Sequence, residues 1–441
     1  MTRTLRDRLV ARIAYAAGAL AIALAPAVVL LLIDGHPTPL PGWVFWLNPF
    51  RVIGFKPSQP DAFLAISITC VFIAYAALAW LTLRRSRHVA SPVWPAGLAI
   101  VPVVQIFVIA WFALAPDRLR GDETGDEAAR RKAAEAAVHG LLAGIGLIVG
   151  SVAVSAVILH VYGYTLFLGS PFVIALCVAY LANRGAPVSG ARTFQVVTLA
   201  FLFGAAALVG FAFEGLICLV MASPLIAGMG LIGAFFGVEL SKIGRPGRGV
   251  TLSAVAVLPA LLAAEALSPP RATFETVETI DIAATAPRVW DAVVHMRAIP
   301  KPPAPPFGWG LAYPQRGEIS GEGVGAVRMG VFSTGVAYER VTRWEPSARL
   351  WFIVLSDPPT MRELSPYPQV NAPHLTGMFH TRDARFGLTP LPDGGTRLSL
   401  TTQHDLALAP AVYWEPIARW AVHTNKRRVL AHFKAQAEAA R

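Results

Sequence analysis

Residues 377–390 read GMFHTRDARFGLTP, residues 391–395 read LPDGG, and residues 396–406 read TRLSLTTQHDL. The two outer runs alternate apolar and polar residues, as half-buried strands do. The central Asp-Gly-Gly predicts a tight turn, because glycine accepts a positive φ without steric cost. A helix follows from about residue 412 to residue 438. Its apolar residues recur near a 3.6-residue period, at Trp414, Ala418, Ala421/Val422, Val429 and Phe433.

The residues before this hairpin extend the same domain back to residue 272. We expect a first strand over 273–283 and then a helix over 287–296, where proline suits the first turn. Further strands are predicted over 316–320, 324–332, 336–344 and 350–356. The order is therefore β, α, about six β, α, which is typical of an α+β domain with one antiparallel sheet. A sheet that curls around one amphipathic helix can leave a pocket between them.

Composition separates the chain into two parts. Of its 441 residues, 55% are hydrophobic and only 15% are charged, whereas soluble proteins average roughly 25% charged residues. A spanning helix needs about 20 mostly apolar residues, and about eight segments qualify: 9–33, 61–83, 93–115, 138–160, 166–182, 194–213, 216–240 and 249–267. We therefore predict a polytopic transmembrane domain over 1–268 and a soluble α+β domain over 272–441.

Charge bears on topology and on partners. Residues 1–270 hold 19 Lys+Arg against 12 Asp+Glu, a net +7, and residues 271–441 hold 19 against 15, a net +4. The second excess is scattered, so no nucleic-acid surface is predicted. By the positive-inside rule, basic residues before the first and after the second apolar segment place the N-terminus inside the cell. The basic residues of later loops oppose this orientation. Eight crossings place the soluble domain in the cytoplasm, which we favour, whereas seven would place it outside.

Four stretches of the soluble part carry a family resemblance. They are VETIDIAATAPRVWDAV at 277–293, VTRWEPSARLWFIV at 341–354, ARFGLTPLPDGGTRLSL at 384–400 and YWEPIARWAVHTNKRRVLAHFKAQAE at 413–438. The domain resembles the SRPBCC superfamily, also called START-like or polyketide cyclase/dehydrase-like, which has a helix-grip fold. The resemblance implies an apolar cavity between sheet and helix that binds lipids, isoprenoids, polyketides or other hydrophobic molecules.

The membrane part has a resemblance of its own. Its basic loop LRRSRH at 83–88 and the Trp- and Pro-containing run at 91–117 resemble polytopic bacterial inner-membrane proteins of unknown function. This resemblance implies a bacterial inner (plasma) membrane location and no activity.

Strand alternation selects candidate pocket residues, because every second side chain shares a face. Met378, His380, Arg382, Ala384, Phe386 and Leu388 are expected on one face of the first hairpin strand, and Leu398, Leu400, Thr402 and His404 on one face of the second. Val336, Tyr338, Arg340, Thr342 and Trp344 share a face of an earlier strand. A largely apolar site with a few polar groups suits a small molecule. The polar candidates on these faces are Tyr338, Arg340, His380, Arg382 and His404; the alternative is that they face water at strand ends.

Loops and the last helix add further candidates. Trp309 follows a proline-rich run, and Met361, Tyr367 and His374 lie in the loop before the hairpin. Trp414, Ala421 and Asn425 are the candidates on the last helix, whereas Lys426-Arg427-Arg428 is interpreted as a solvated or lipid-facing surface. The alternative for all of them is a packing role.

Three functions remain open at this point. The first is a membrane-anchored protein that binds a hydrophobic ligand, with membrane lipids and that ligand as partners. The second is a cyclase- or dehydratase-type enzyme acting through His380, His404 or Arg382, although no catalytic or metal-binding motif is present and no cofactor is predicted. The third is a transporter that uses Glu214, an acidic residue within an apolar run; its alternative is a position at a helix end.

Overall fold

A computed structural model describes residues 3–34, 61–89, 92–102, 104–117, 125–184, 189–243, 248–365, 370 and 372–439. The chain divides into two compact units, which we describe separately. Unit 1 comprises residues 1–160, 164–267 and 365–372, and unit 2 comprises residues 161–163, 268–364 and 373–441.

Unit 1 is mainly helical in its described part. Its α-helices are α1 (Arg3–Asp34), α2 (Asp61–Ser86), α3 (Val104–Leu114), α4 (Gly125–Val152), α5 (Ser170–Asn183), α6 (Gly190–Gly210), α7 (Leu216–Lys242) and α8 (Arg248–Ala266). π-Helical turns at Ala153–Ile158 and Thr165–Gly169 extend α4 and precede α5. Large apolar side chains such as Phe107, Leu202 and Phe235 are exposed on these helices.

Within the described residues, five helical stretches are long and apolar enough to cross a membrane: Leu9–Val29, Gly125–Ile158, Thr165–Asn183, Gly190–Gly210 and Leu216–Lys242. The predicted segment 93–115 differs, because it is not one continuous helix. A 3₁₀ turn at Trp94–Leu98 is followed by a break and then by the 11 residues of α3. Pro102 lies in that break, and it lacks the amide hydrogen that a continuing helix would use.

Glycines let α5 and α7 approach closely. A Cβ atom on Gly233 would lie 2.1 Å from the carbonyl oxygen of Phe172, and one on Gly237 would lie 2.4 Å from that of Leu176. These separations are too short for any side chain, so the two helices pack backbone to backbone at this point. Spacing of small residues by four positions is a known device for helix association in lipid.

Unit 2 is one curled antiparallel sheet that holds a long helix. Its strands are β1 (Ala272–Ile282), β2 (Pro314–Ser320), β3 (Val327–Phe332), β4 (Gly335–Glu345), β5 (Arg349–Ser356), β6 (Phe379–Pro390) and β7 (Thr396–Leu406). Helix α9 (Ala286–Val294) follows β1, and α10 (Ala411–Ala439) closes the chain. The strand order is β1-β7-β6-β5-β4-β3-β2, so the N-terminal strand pairs with the last one. The predicted order of elements is confirmed, and the arrangement is helix-grip-like.

The β6–β7 hairpin forms where the Asp-Gly-Gly turn predicts it. Gly394 has a φ of 81°, which only glycine adopts without strain. A Cβ atom on Gly395 would lie 2.8 Å from the carbonyl oxygen of Ile282. The turn therefore packs directly against the end of β1 and holds the hairpin in register with it.

One half of the space between sheet and helix is filled with apolar side chains. Leu430, Phe433 and Ala437 of α10 are buried there, against Leu398 and Phe386 of the hairpin strands. The ring centroids of Phe386 and Phe433 are 5.8 Å apart in an edge-to-face arrangement. This aliphatic and aromatic core lies at the end of the sheet that α9 covers, and it anchors the C-terminal half of α10.

Candidate functional site

The inner face of β7 is formed as the alternation predicts. Leu398, Leu400, Thr402 and His404 are all buried, and Leu406 continues the row. Residues opposite each other on neighbouring antiparallel strands share a face. Phe386 pairs with Leu400 and Ala384 with Thr402, so the second half of β6 lies on the inner face as predicted.

A β-bulge overturns the assignment for the first half of β6. The register shifts between Thr381 and Asp383, and Thr381 rather than Arg382 lies opposite His404. One extra residue inverts the alternation on that side of the bulge. His380 lies opposite Asp405 on the outer face, and the Arg382 side chain donates to the same Asp405 carboxylate at 2.7 Å. His380 and Arg382 are therefore corrected from inner-face to outer-face residues.

A second register shift has the same effect in β4. Ala337, Glu339 and Val341 are buried on the inner face, whereas Tyr338 and Arg340 are exposed on the outer face. The shift between Val341 and Arg343 then returns Trp344 to the inner side, where it packs against Trp290 of α9 at 5.3 Å. The expectation that Tyr338 and Arg340 share a face with Trp344 is wrong for this reason.

The main polar feature of the inner face is a chain of buried side chains that begins at Lys426 of α10. The Lys426 ammonium donates to the Thr276 carbonyl at 2.6 Å, to Thr276 Oγ1 at 2.8 Å and to the Leu400 carbonyl at 2.9 Å. Thr276 Oγ1 lies 3.0 Å from Thr402 Oγ1, which lies 2.7 Å from His404 Nε2. His404 Nδ1 in turn lies 3.2 Å from Thr381 Oγ1. We call this set, Lys426–Thr276–Thr402–His404–Thr381, the polar chain.

His404 lies in an apolar and positively charged environment. Its ring is 5.1 Å from that of Phe274 and 5.1 Å from that of Phe379, and only 3% of the residue is exposed. Burial, reinforced by the positive charges of Lys426 and Arg419, lowers the pKa of His404 to about 3. The imidazole is therefore neutral at physiological pH, with one nitrogen donating and the other accepting.

Lys426 is a functional candidate that the sequence pattern missed. The run Lys426-Arg427-Arg428 predicts a solvated or lipid-facing surface, yet Lys426 is only 4% exposed. Burial lowers the pKa of its amine to about 7, although the nearby Glu278 and Glu275 oppose that shift. Lys426 lies at helical spacing from Val422, Leu430 and Phe433, which places it on the apolar stripe of α10. This spacing is the feature of the sequence from which its burial could be predicted.

A buried ion pair on β3 and β4 was also missed. The Arg328 guanidinium bonds to the Glu339 carboxylate, and it lies 4.8 Å from the centre of the Phe352 ring. Burial raises the pKa of Glu339, whereas the charge of Arg328 opposes that shift. Gly317 of β2 leaves the room for this arginine, because a Cβ atom there would lie 2.8 Å from Arg328 Nη2.

The loop candidates occupy different surroundings. Trp309 is exposed and Met361 is half-buried, the latter paired with Leu311 by an isolated antiparallel bridge. His374 is buried, with its Nδ1 atom 3.2 Å from the hydroxyl of Tyr162 in the same unit. Tyr367 lies outside the described residues.

The helix candidates flank the stripe that carries Lys426. Trp414 is buried and packs edge-to-face on Tyr413. Ala421 is half-buried. Asn425 is half-buried and donates to the carbonyl of Ala312 at 2.9 Å, so it bridges α10 to the loop that precedes β2. Of all the predicted residues, His404 is the one that the polar chain includes.

Glu214 of unit 1 lies at a break between two helices rather than inside one. Helix α6 ends at Gly210 and α7 begins at Leu216. Ala212 between them has a φ of 57°, and Glu214 is only 5% exposed. The position at a helix end matches the alternative interpretation, and a role in transport stays a prediction.

Comparisons with known proteins concern unit 2. No family model matches the sequence, and no curated protein matches it. A structure of a protein from Nitrosospira multiformis is similar over 38% of this chain and 100% of its own, with 18% identity and a TM-score of 0.25. The Zhui aromatase/cyclase from Streptomyces sp. R1128 is similar over 38% of this chain and 94% of its own, with 17% identity and a TM-score of 0.24. Norcoclaurine synthase from Thalictrum flavum covers 37% of this chain and 92% of its own, with 10% identity and a TM-score of 0.24. Values this low say nothing about a shared ligand or reaction.

Proposed function

We propose that unit 2 binds a hydrophobic small molecule between its sheet and α10, and that the apolar helices of unit 1 anchor it in a membrane. The observation that carries this proposal is the contrast between the two halves of the inner face. One half is a filled core around Leu430 and Phe433, whereas the other combines the aromatic rings of Phe274 and Phe379 with the polar chain. Apolar walls with a few convergent polar groups are what a small-molecule site requires.

Partial exposure supports access to the second half. Phe379, Thr381 and Phe332 are half-buried although they lie on the inner face, whereas Leu398 and Phe433 of the filled core are fully buried. The sheet is also irregular here, because β5 pairs with β6 only from Arg349 to Ile353 and the Asp357 side chain bridges to the Thr381 amide beyond that ladder. We expect a molecule to reach the inner face at this irregular end of the sheet rather than at the filled core.

Burial of an apolar ligand supplies the affinity. Each buried CH₂ group contributes about 0.8 kcal/mol, so a long acyl or isoprenoid chain binds without any charged contact. A ligand of this kind partitions into lipid, which explains why a binding domain would be attached to helices that can cross a membrane.

Position-specific photo-crosslinking in the full-length chain tests the proposal. The Phe379→p-benzoylphenylalanine and Phe332→p-benzoylphenylalanine variants place the reactive group on the inner face, and Tyr338→p-benzoylphenylalanine places it on the outer face of the same sheet. After irradiation in native membranes, mass spectrometry of the peptides should find an apolar adduct at the inner positions only. Absence of an inner adduct, or the same adduct at all three positions, would contradict the proposal.

The membrane arrangement has a separate test. A tag after the last residue of α10 should be digested by protease in inverted vesicles and protected in right-side-out vesicles, if unit 2 is cytoplasmic. Digestion only in right-side-out vesicles would place unit 2 on the other side and would require an odd number of crossings.

A further inference from the structure

The polar chain has a direction, because one of its ends can only donate. A lysine ammonium carries three donors and no acceptor. Two of its hydrogens go to the carbonyls of Thr276 and Leu400, and the third goes to Thr276 Oγ1. Thr276 is only 2% exposed, and a buried hydroxyl hydrogen needs an acceptor. In the described part of the chain that acceptor is Thr402 Oγ1 at 3.0 Å.

The same counting continues to the far end. Thr402 accepts from Thr276, so its own hydrogen is donated to His404 Nε2 at 2.7 Å. A neutral imidazole that accepts at Nε2 carries its hydrogen on Nδ1. That hydrogen is donated to Thr381 Oγ1 at 3.2 Å. This is the arrangement of the four hydrogen bonds that gives both buried hydroxyl hydrogens, those of Thr276 and Thr402, an acceptor.

Thr381 is left with a hydroxyl hydrogen to donate. In the part of the chain that the structure describes, its backbone amide is bonded to Asp357 Oδ1 at 3.2 Å, whereas its hydroxyl hydrogen has no acceptor. Thr381 is also half-buried on the inner face, beside the bulge where β6 separates from β5. The adjacent rings of Phe274 and Phe379 supply apolar surface at the same place.

Charged groups of both signs lie near the polar chain and Thr381. Arg419 lies 4.7 Å from the centre of the Phe274 ring, and Lys426 and Arg419 are both positively charged. Asp357 carries the opposite charge, and its Oδ1 atom lies 3.2 Å from the Thr381 amide nitrogen. The hydroxyl donor, rather than the charge around it, therefore selects an oxygen with lone pairs.

We propose that Thr381 Oγ1 donates a hydrogen bond to a carbonyl oxygen of the hydrophobic ligand, and that the polar chain holds that hydroxyl in its donating orientation. The inference rests on the proposed function, whose ligand class it narrows to apolar carbonyl compounds. Thr276, Thr402, His404 and Lys426 are positioning residues, since they act on the ligand through Thr381.

A matched pair of probes tests the ligand class on the full-length protein in lipid nanodiscs at pH 6. The probes are 2-acetylnaphthalene and 2-isopropenylnaphthalene, which have nearly the same shape and differ in C=O against C=CH₂. One neutral hydrogen bond predicts about fivefold to tenfold tighter binding of the ketone. Thr381→Val should remove this preference and Thr381→Ser should keep it. Thr401→Val is the matched control on the outer face of the neighbouring strand, and it should leave the preference unchanged.

The failures are distinguishable. Equal binding of the two probes to the wild-type protein, or a ketone preference that survives Thr381→Val, overturns the inference and leaves the proposed function standing. Absence of saturable binding of either probe, together with no inner-face crosslink, overturns the proposed function and the inference with it.

A ligand-independent measurement tests the direction of the chain. In ¹⁵N-histidine-labelled protein at pH 6, His404 should be the Nδ1–H tautomer, and the Nε2–H tautomer would overturn the inference. Above the pKa of about 7 to which burial lowers the Lys426 amine, its lone pair accepts from Thr276 and every hydrogen bond of the chain reverses. The His404 tautomer should therefore change as Lys426 loses its proton, and Thr402→Val should abolish that change. The carboxylates that act on the charge of Lys426 are those of Glu275 and Glu278.

Discussion

Acidification should destabilise the sheet around His404, and the effect should be larger than that from protonating a histidine on the surface. The pKa of His404 is lowered to about 3 by burial and by the charges of Lys426 and Arg419, against 6.5 for the free side chain. An unfolded chain therefore binds a proton between these values that the folded chain does not bind. The stability due to the neutral buried imidazole is fully present above pH 6.5 and is lost as the pH falls towards 3.

The size of the effect follows from the two pKa values. Between pH 6.5 and pH 4 the linkage relation predicts a loss of about 3 kcal/mol in the free energy of opening. Lys426 is mostly protonated across this range, since its pKa is about 7, so it contributes little to the slope. Hydrogen exchange of the peptide that covers β7, measured in the full-length protein in nanodiscs and corrected for intrinsic rates, reports this free energy directly.

Two variants isolate the contribution of His404. His404→Gln keeps a donor and an acceptor but cannot take up the proton, so its opening free energy should depend on pH by about 3 kcal/mol less than that of the wild type over the same range. His295→Gln is the control, because the His295 side chain is 72% exposed. Equal pH slopes for the wild type and His404→Gln would refute the reasoning.

Three further predictions concern packing and charge. Lys426→Ala removes three buried hydrogen bonds that tie α10 to β1 and β7, and it should lower the free energy of opening of these strands by about 2–4 kcal/mol in hydrogen exchange; exchange unchanged from the wild type would contradict this. Gly233→Ala should lower the thermal midpoint of unit 1 in detergent by several degrees, because its Cβ atom would lie 2.1 Å from a backbone oxygen, whereas Gly228→Ala on the same helix meets nothing within 4 Å and should be neutral. Arg328→Met alone should cost about 3 kcal/mol by leaving Glu339 buried without its partner, whereas Arg328→Met combined with Glu339→Gln should recover most of that loss; additive losses in chemical denaturation would argue against a coupled pair.

Local pattern was sufficient for the elements of unit 2. The Asp-Gly-Gly turn, the alternation in β7 and the helical period of α10 each depend on neighbours in the chain, and each was found where predicted. The apolar length of the helices in unit 1 likewise follows from composition alone. Five of the eight predicted segments match such stretches. The segment 93–115 is broken at Pro102, which its apolar composition does not reveal, and 61–83 and 249–267 are not among the five in the described part of the chain.

Face assignments required the tertiary structure, because a single inserted residue inverts every side chain on one side of it. The sequence of residues 378–388 does not predict the bulge at Arg382. The bulge arises because β6 pairs with β7 along this stretch while its ladder with β5 ends at Asp383. His380 and Arg382 consequently lie outside, and Thr381 lies inside.

The sequence alone determined that this chain would combine membrane-length apolar helices with a curled sheet around one long helix. The reason is that periodicity and hydrophobic length are properties of consecutive residues. Only the tertiary structure decided that Lys426 is buried, because its charge is satisfied by carbonyls 150 and 26 positions away in the chain. The direction of the polar chain, and with it the donor at Thr381, depends on that long-range arrangement of β1, β7, β6 and α10.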